Sequence, residues 1–140
     1  RLAAERGAPE FVEVRDQLLE SMSEADREAS DAAFIALRQN YSDLVLALGH
    51  AREERELLDT RPTGSRLSGN SSAITIIDPR TGVTITRSEY VGRLESRIRL
   101  RLDFITRTLN VEPVEPDASD RDFEALAAKV DDYLQIINDR

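Results

Sequence analysis

Three arginines recur at four-residue intervals in the second half of the chain, and their spacing is suited to a chemical task. Arg93, Arg97 and Arg101 lie in a segment of helical periodicity, so they are expected on one face of a helix. Guanidinium groups arranged in this way can follow the phosphates of double-stranded DNA. Arg80, in the turn of a predicted hairpin, adds a fourth. We therefore predict a nucleic-acid-binding surface made of Arg80, Arg93, Arg97 and Arg101.

The same arginines have a structural alternative, which is to pair with acidic helices of this chain or of a neighbouring subunit. The chain has a net charge of −8, which disfavours nonspecific attraction to nucleic acid. No aromatic residue that could stack on a base is interleaved with the arginines between Arg93 and Arg101. The sequence leaves both interpretations open.

Other chemistry finds little support in the residues. His50 is the only histidine, and the chain lacks cysteine and the Gly-x-Ser-x-Gly turn that presents a hydrolase nucleophile. Glu53, Glu54 and Glu56 do not have the spacing of a metal-binding motif and are interpreted as a solvated helix face. Residues 64–69 contain glycines without the Lys-Ser/Thr ending of a phosphate-binding loop. We therefore expect a protein that is not an enzyme, with no catalytic residue, no metal site and no cofactor.

Apolar residues at helical spacing predict the elements that precede the arginines. Pro9 suits the first position of a short helix that reaches about residue 22, with an apolar face of Phe11, Val14, Leu18 and Met22. Ser23 is predicted to cap a long central helix that extends toward residue 60. Its apolar residues alternate steps of three and four, as in a coiled coil: Phe34, Leu37, Tyr41, Leu44, Leu48 and Ala51.

A β-hairpin and two further helices are predicted in the remainder. Two β-branched runs joined by a Pro and Gly turn predict a hairpin at 73–86. Ser88 is predicted to begin the arginine-bearing helix, whose apolar face is Val91, Leu94, Ile98, Leu102, Ile105 and Leu109. Ser119 is predicted to cap a last helix, with the apolar stripe Phe123, Leu126, Val130, Leu134 and Ile137.

These elements indicate the domain organisation. Residues 1–109 form a predicted helical domain that includes the hairpin, 110–118 a proline-containing linker, and 119–140 a C-terminal helix. A two-stranded hairpin is marginal alone and the apolar stripe of the long helix is wide, so we expect a homo-oligomer. The predicted oligomer interface consists of Phe34, Leu37, Tyr41, Leu44, Leu48, Ile74, Ile76, Val83 and Ile85.

Charge is segregated along the chain. Residues 1–60 have a net charge of −7, residues 61–109 of +5 and residues 110–140 of −6. No run approaches the roughly 20 apolar residues that span a bilayer, so we expect no membrane partner. The absence of cysteine favours a cytoplasmic location, which would be that of a bacterial host if the chain is viral.

The order of elements resembles one group of bacteriophage small terminase subunits. The resemblance covers residues 10–113: a short helix, Asp26-Arg27 opening a long helix through Tyr41, a polar loop, a β segment and a helix ending in Leu-Asn-Val-Glu-Pro at 109–113. That group typically closes its third helix with Gly-Leu-Thr-Pro, so this chain shares the general pattern without that motif. The resemblance implies a ring-forming protein that recognises viral DNA and regulates a separate, large packaging ATPase.

The predicted fold is therefore mainly α, a helical bundle with a long central helix and one inserted β-hairpin, assembling into an oligomer. The predicted function is that of a non-enzymatic, small terminase-like DNA-packaging protein. The alternative is a helical structural or adaptor protein, in a virion for example, that binds only protein and whose hairpin extends a partner's sheet. Added salt distinguishes the two, since it weakens phosphate contacts and preserves apolar ones.

Overall fold

The computed structural model describes residues 9–59 and 75–139, and it confirms a mainly α fold with one small β-hairpin. In chain order the elements are α1 (Pro9–Ser21), α2 (Glu24–Tyr41), α3 (Asp43–Asp59), β1 (Thr75–Ile77), β2 (Thr84–Thr86), α4 (Arg87–Leu109) and α5 (Asp120–Asn138). The chain divides into two compact units. One runs to Leu46 and takes in the chain from Ala128 onward, and the other is Ala47–Ala127.

The unit that runs to Leu46 contains α1 and α2, which begin where the sequence predicts. The N–H of Asp26 donates to Ser23 Oγ at 3.2 Å, and Ser23 Oγ donates to the Asp26 carboxylate at 2.6 Å. Ser23 therefore caps α2 by accepting one backbone N–H of the first turn, and the Asp26 carboxylate orients the serine hydroxyl. Toward the end of α2, the Arg38 guanidinium stacks 4.3 Å from the Phe34 ring centre and donates to Asn138 Oδ1 at 2.8 Å.

The long helix predicted from Ser23 is interrupted at Ser42, where the sequence prediction is wrong. Ser42 is extended, with ψ of 153°, so α2 ends at Tyr41 and α3 begins at Asp43. The N–H of Val45 lies 3.4 Å from Ser42 Oγ, and Asp43 adds an acid to the first turn. A serine that accepts a backbone N–H competes with helix continuation, and Ser-Asp is a cap signal that the apolar periodicity concealed.

The interruption divides the predicted apolar seam into an exposed half and a buried half. On α2, Phe34 is half-buried, whereas Leu37 and Tyr41 are exposed. On α3, Leu44, Leu48 and Ala51 are buried. One continuous seam in the sequence therefore has two different environments.

The core of the Ala47–Ala127 unit is centred on α4. The middle of the predicted apolar face of this helix is confirmed, since Leu94, Ile98, Leu102 and Ile105 are at most 1% exposed, whereas Val91 and Leu109 at its ends are half-buried. The spacing of the buried residues, by four, four and three positions, keeps them on one face of the helix. The same unit also buries side chains from α3, β2 and α5, namely Leu48, Ala51, Ile85, Phe123 and Leu126.

The predicted hairpin is present and packs on α4. β1 and β2 are antiparallel, with Thr75 opposite Thr86, Ile76 opposite Ile85 and Ile77 opposite Thr84. Ile85 is buried, whereas its neighbours Thr84 and Thr86 are exposed, so β2 alternates as a half-covered strand should. Positions 73 and 74 of the predicted hairpin lie outside the described residues.

Helix α4 begins one residue earlier than the predicted Ser88. The cap is Thr86, whose Oγ1 accepts the N–H of Glu89 at 3.2 Å, so the last residue of β2 is also the cap of α4. At the other end Asn110 adopts the left-handed conformation with φ of 53°. The N–H of Val111 donates to Thr106 O and that of Asn110 to Arg107 O, which is a Schellman ending.

The last helix begins where the sequence predicts. Residues 110–119 contain neither helix nor strand, and Ser119 caps α5 through reciprocal hydrogen bonds with Asp122. Within the Ala47–Ala127 unit, Arg55 Nη1 lies 2.8 Å from Asp120 Oδ1, and its guanidinium covers the Phe123 ring at 4.7 Å. Arg52 donates to Glu124 Oε1 at 3.0 Å. Together these contacts hold the first turns of α5 against α3.

Candidate functional site

Helix α4 presents the predicted arginine row beside its buried face. Arg93, Arg97 and Arg101 are spaced by four residues, so each side chain is displaced from the previous one by about 40° around the helix axis, always in the same direction. Their side chains are 40%, 25% and 21% exposed in that order, so the row becomes progressively more covered along the helix. A surface built to lie on a phosphate backbone would keep all three guanidinium groups accessible.

Glu54 of α3 is the carboxylate on which three of the predicted arginines converge. Arg97 Nε lies 2.8 Å from Glu54 Oε1, and Arg101 Nη1 contacts Glu54 Oε2. Arg80 reaches the same Oε1 from the hairpin turn at 3.5 Å. Only 9% of the Glu54 side chain is exposed. This set of Glu54, Arg80, Arg97 and Arg101 is referred to below as the Glu54 cluster.

The second acid of the site is Asp78, which organises the hairpin turn. Its side chain is 1% exposed, and Oδ1 accepts the backbone N–H of Arg80 at 3.0 Å. Its backbone carbonyl accepts the N–H of Gly82 at 2.8 Å, and Gly82 takes a φ of 69°, a conformation that favours glycine. Arg93 Nη1 lies 3.3 Å from Asp78 Oδ2. Asp78 therefore ties the turn to α4.

These contacts shift the acid–base equilibrium of Asp78. The hydrogen bond from the Arg80 backbone N–H is the largest effect that lowers the pKa of Asp78, and the Arg93 guanidinium lowers it further. Burial opposes this shift without reversing it. Asp78 is therefore ionised at neutral pH and holds its cationic partner through charge as well as geometry.

A cavity of about 260 Å³ adjoins the two acids within the Ala47–Ala127 unit. It is lined by His50, Glu53, Glu54, Leu57, Asp78, Pro79, Arg80, Tyr90, Arg97 and Arg101. Three acids and three arginines balance one another in this lining. His50 Nδ1 lies 3.2 Å from Glu53 Oε2, and both side chains are more than half exposed. Such a lining favours neither an anion nor a cation.

The structure brings together all four residues predicted to bind nucleic acid, and each of them forms an ion pair with a carboxylate of the same chain. This is the structural alternative that the sequence left open. Glu54 was interpreted as part of a solvated face and is buried instead, because it follows the buried Ala51 by three residues on α3. That spacing was the signal in the sequence. The partnership with α4 had no local signal, since Glu54 and Arg101 are 47 residues apart.

The predicted interface residues fall into different environments. Leu44, Leu48 and Ile85 are only 5–7% exposed, so they have little surface left for another subunit. Leu37, Tyr41 and Val83 are exposed, and Phe34 and Ile76 are half-buried. Ile74 lies outside the described residues. The exposed members are those that stay available for an oligomer contact.

Comparison with protein-family models, curated proteins and solved structures gave no match. In residues 9–59 and 75–139, no group of His, Cys, Asp and Glu has the arrangement of a metal site. Over the same residues, no helix combines the length and the hydropathy needed to cross a bilayer.

Proposed function

We propose that this protein is a non-enzymatic assembly protein that associates with copies of itself. The observation that carries the proposal is the exposure of α1 and α2. Neither helix contains a buried residue, and five of their large apolar side chains are between 47% and 58% exposed. These are Phe11, Val14, Leu18, Leu37 and Tyr41.

Helix physics makes such exposure informative. Isolated helices shorter than about 12–15 residues are marginal in water, and most helical stability in proteins, also for longer helices, comes from packing an apolar face. α1 has 13 residues and α2 has 18, and their uncovered apolar rows are regularly spaced. Regular apolar surface of this kind marks interaction sites. Association would supply the burial that the protomer does not.

The Glu54 cluster supports an architectural role rather than a catalytic one. Each of its arginines is held by a carboxylate, and Asp78 is held by the turn that it organises. Buried ion pairs of this kind favour one packing arrangement over others more than they add stability. The cluster thus fixes the hairpin and α3 on α4.

Solution mass tests this proposal. Light scattering coupled to size exclusion, over a wide range of protein concentration and at low and high salt, should show an assembly larger than the 15.7 kDa protomer. A single species of protomer mass at every concentration and salt would overturn self-association. The adaptor interpretation, in which the protein binds only other proteins, would then take its place.

A second function, recognition of double-stranded DNA in the manner of small terminase subunits, is favoured by a charge excess. Four arginines, Arg80, Arg93, Arg97 and Arg101, are paired with three acids: the buried Glu54 and Asp78, and Glu89, which lies 2.7 Å from Arg93 Nη2. Arg80 and Arg93 keep 61% and 40% of their side chains exposed. We propose that these two arginines would contact phosphates, and that a large packaging ATPase would be the further partner.

Charge reversal tests the DNA proposal. Arg80→Glu with Arg93→Glu should weaken binding to duplex DNA and flatten its dependence on salt, because each lost phosphate contact lowers the slope by about 1. Arg121→Glu, at an exposed position of α5, is the matched control and should leave binding unchanged. DNA affinity that is equal in all three proteins, or absent in the unmodified protein, would remove this function and leave assembly standing.

A further inference from the structure

Two exposed apolar faces on different helices are candidates for the contact between copies. On α1 the face consists of Phe11, Val14 and Leu18, each about half exposed. On α4 it consists of Leu100 and Phe104, which are 69% and 44% exposed and lie one turn apart. They are called the α1 face and the α4 face below. The α4 face lies on the side of the helix away from the buried row of Leu94 and Ile98.

The two helices have opposite charge. α4 contains six arginines and three acids, for a net charge of +3, and α1 contains four acids and one arginine, for −3. The other helices of the described residues are all acidic. Arg107 stands three residues after Phe104, is 83% exposed and lies 3.9 Å from Asp103 of the same helix. Arg97, three residues before Leu100, is paired with Glu54 of α3, so Arg107 is the accessible cation beside the α4 face. Glu10 stands four residues before Val14 and one before Phe11.

The charges decide which faces can meet. A contact between two α1 faces would bring together helices of net −6. One between two α4 faces would bring together helices of net +6, part of which is offset by Glu54, Asp78 and Glu115 of each chain. A contact between α1 of one copy and α4 of another is neutral. Like charges oppose association and opposite charges favour it at distances within the Debye length of about 8–10 Å. Among the three possible pairings of the α1 and α4 faces, only the mixed one combines apolar burial with charge complementarity.

We propose that copies of this chain associate head to tail, with the α1 face of one copy docked on the α4 face of the next. This inference rests on the proposed self-association and names the surfaces that produce it. A contact between two different faces leaves one face free at each end of a pair, so the assembly grows beyond a dimer, into a ring where the rotation between copies closes and into an open filament where it does not. A contact of one face with itself would stop at a dimer.

Two variants, each lacking one face, test the proposal. Val14→Glu with Leu18→Glu removes the α1 face, and Leu100→Glu with Phe104→Glu removes the α4 face, all at exposed positions of helices. Each variant alone should have protomer mass. An equimolar mixture should form a one-to-one heterodimer that does not grow, since it joins the one intact α1 face to the one intact α4 face.

Controls separate this proposal from the one on which it rests. Ile136→Glu, at a 54% exposed position outside both faces, should assemble like the unmodified protein. Circular dichroism and urea unfolding should show that each variant keeps its helices. Two results would overturn the head-to-tail contact and retain self-association, provided that the unmodified protein assembles. In one, the mixture of the two variants stays at protomer mass; in the other, the variant that lacks the α4 face still dimerises. An unmodified protein of protomer mass would overturn both.

Discussion

At the scale of single residues, Glu54 shows how one acid can determine the use of an arginine row. Three guanidinium groups share its two oxygens, and its side chain is 9% exposed. A carboxylate so placed neutralises only one of the three positive charges. Its removal would leave three cations close together in a partly covered site, where repulsion is weakly screened.

Glu54→Gln should therefore lower the free energy of unfolding by about 2 kcal/mol, less than the loss of a fully buried pair because the arginines are partly solvated. Glutamine preserves the size of the side chain, so the change isolates the charge. Glu53→Gln alters the neighbouring, 73% exposed acid and should change stability by no more than about 0.5 kcal/mol. Urea unfolding of the two variants measures the difference. Equal changes in the free energy of unfolding would mean that the Glu54 cluster does not contribute to stability.

Asp78 should make the stability of the folded protein depend on pH. Its pKa is lowered in the folded protein from the ordinary value of 3.8, so the folded state binds the proton less readily than the unfolded chain. The sign follows from linkage: the ionised carboxylate contributes stability that is fully present above pH 3.8 and is lost as the pH falls through the lower, folded pKa.

Asp78→Asn should consequently destabilise the protein at pH 7, and the difference from the unmodified protein should shrink as the pH falls below 3.8. Asparagine can still accept the Arg80 N–H, so the turn survives while the charge is lost. Urea unfolding at a series of pH values measures how the stability difference between the two proteins changes with pH. Asp131→Asn, at an exposed position of α5, serves as the control. A difference that stays constant from pH 7 to the acid limit would show that the charge is not its source.

At the scale of elements, the ends of the helices are set by hydrogen bonds of single polar side chains. Ser42 divides the predicted long helix, Thr86 joins the hairpin to α4, and Asn110 ends α4 in a left-handed conformation. Thr86 is the most consequential of these. Because it is the last residue of β2 as well as the cap of α4, the junction between strand and helix contains no loop.

Thr86→Ala should cost about 1 kcal/mol of stability, since it removes the oxygen that accepts the Glu89 N–H. Thr86→Ser keeps that oxygen and should recover most of the loss. Ser88→Ala changes the residue at which the sequence alone predicted the helix to begin. It removes an exposed hydrogen bond to Thr86 Oγ1 and leaves the Glu89 N–H bond in place, so it should cost less, about 0.5 kcal/mol. The urea concentrations at the unfolding midpoints rank the stabilities of the three variants, provided that the free energy of unfolding has the same slope against urea concentration in each. A larger loss at Ser88 than at Thr86 would restore the sequence-based assignment.

At the scale of the whole molecule, the distribution of exposed apolar residues matters more than their number. Single exposed apolar residues are normal on proteins. Here they lie in regular rows on α1, α2 and α4, with a net charge of −8 on the chain. The charge favours solubility, and the rows favour association that is specific in orientation.

Self-association should make the melting temperature rise with protein concentration, because assembly stabilises the folded state by mass action. Val14→Glu with Leu18→Glu should flatten that dependence, whereas Ile136→Glu should leave it intact. Scanning calorimetry at several concentrations of each protein makes the measurement. A melting temperature of the unmodified protein that does not depend on concentration would mean that assembly does not contribute to its stability.

What the sequence determined by itself is local. The period of the apolar residues identified the buried faces of α4 and α5, because a helix repeats at a spacing that the chain displays directly. The β-branched runs and the turn residues identified the hairpin for the same reason. The caps at Ser23 and Ser119 were also readable, since the partners lie three residues away.

Only the tertiary structure decided the partners of the arginines and the fate of each apolar row. Glu54 is 26 residues before Arg80 and 47 before Arg101. Its spacing from Ala51 indicates on which side of α3 it lies, but no local pattern indicates which residues it meets there. Leu37 and Leu48 share one periodic seam, yet the first is exposed and the second buried. The physical reason is the same in both cases. Spacing specifies which side chains share a face, whereas the packing of distant elements specifies what that face meets.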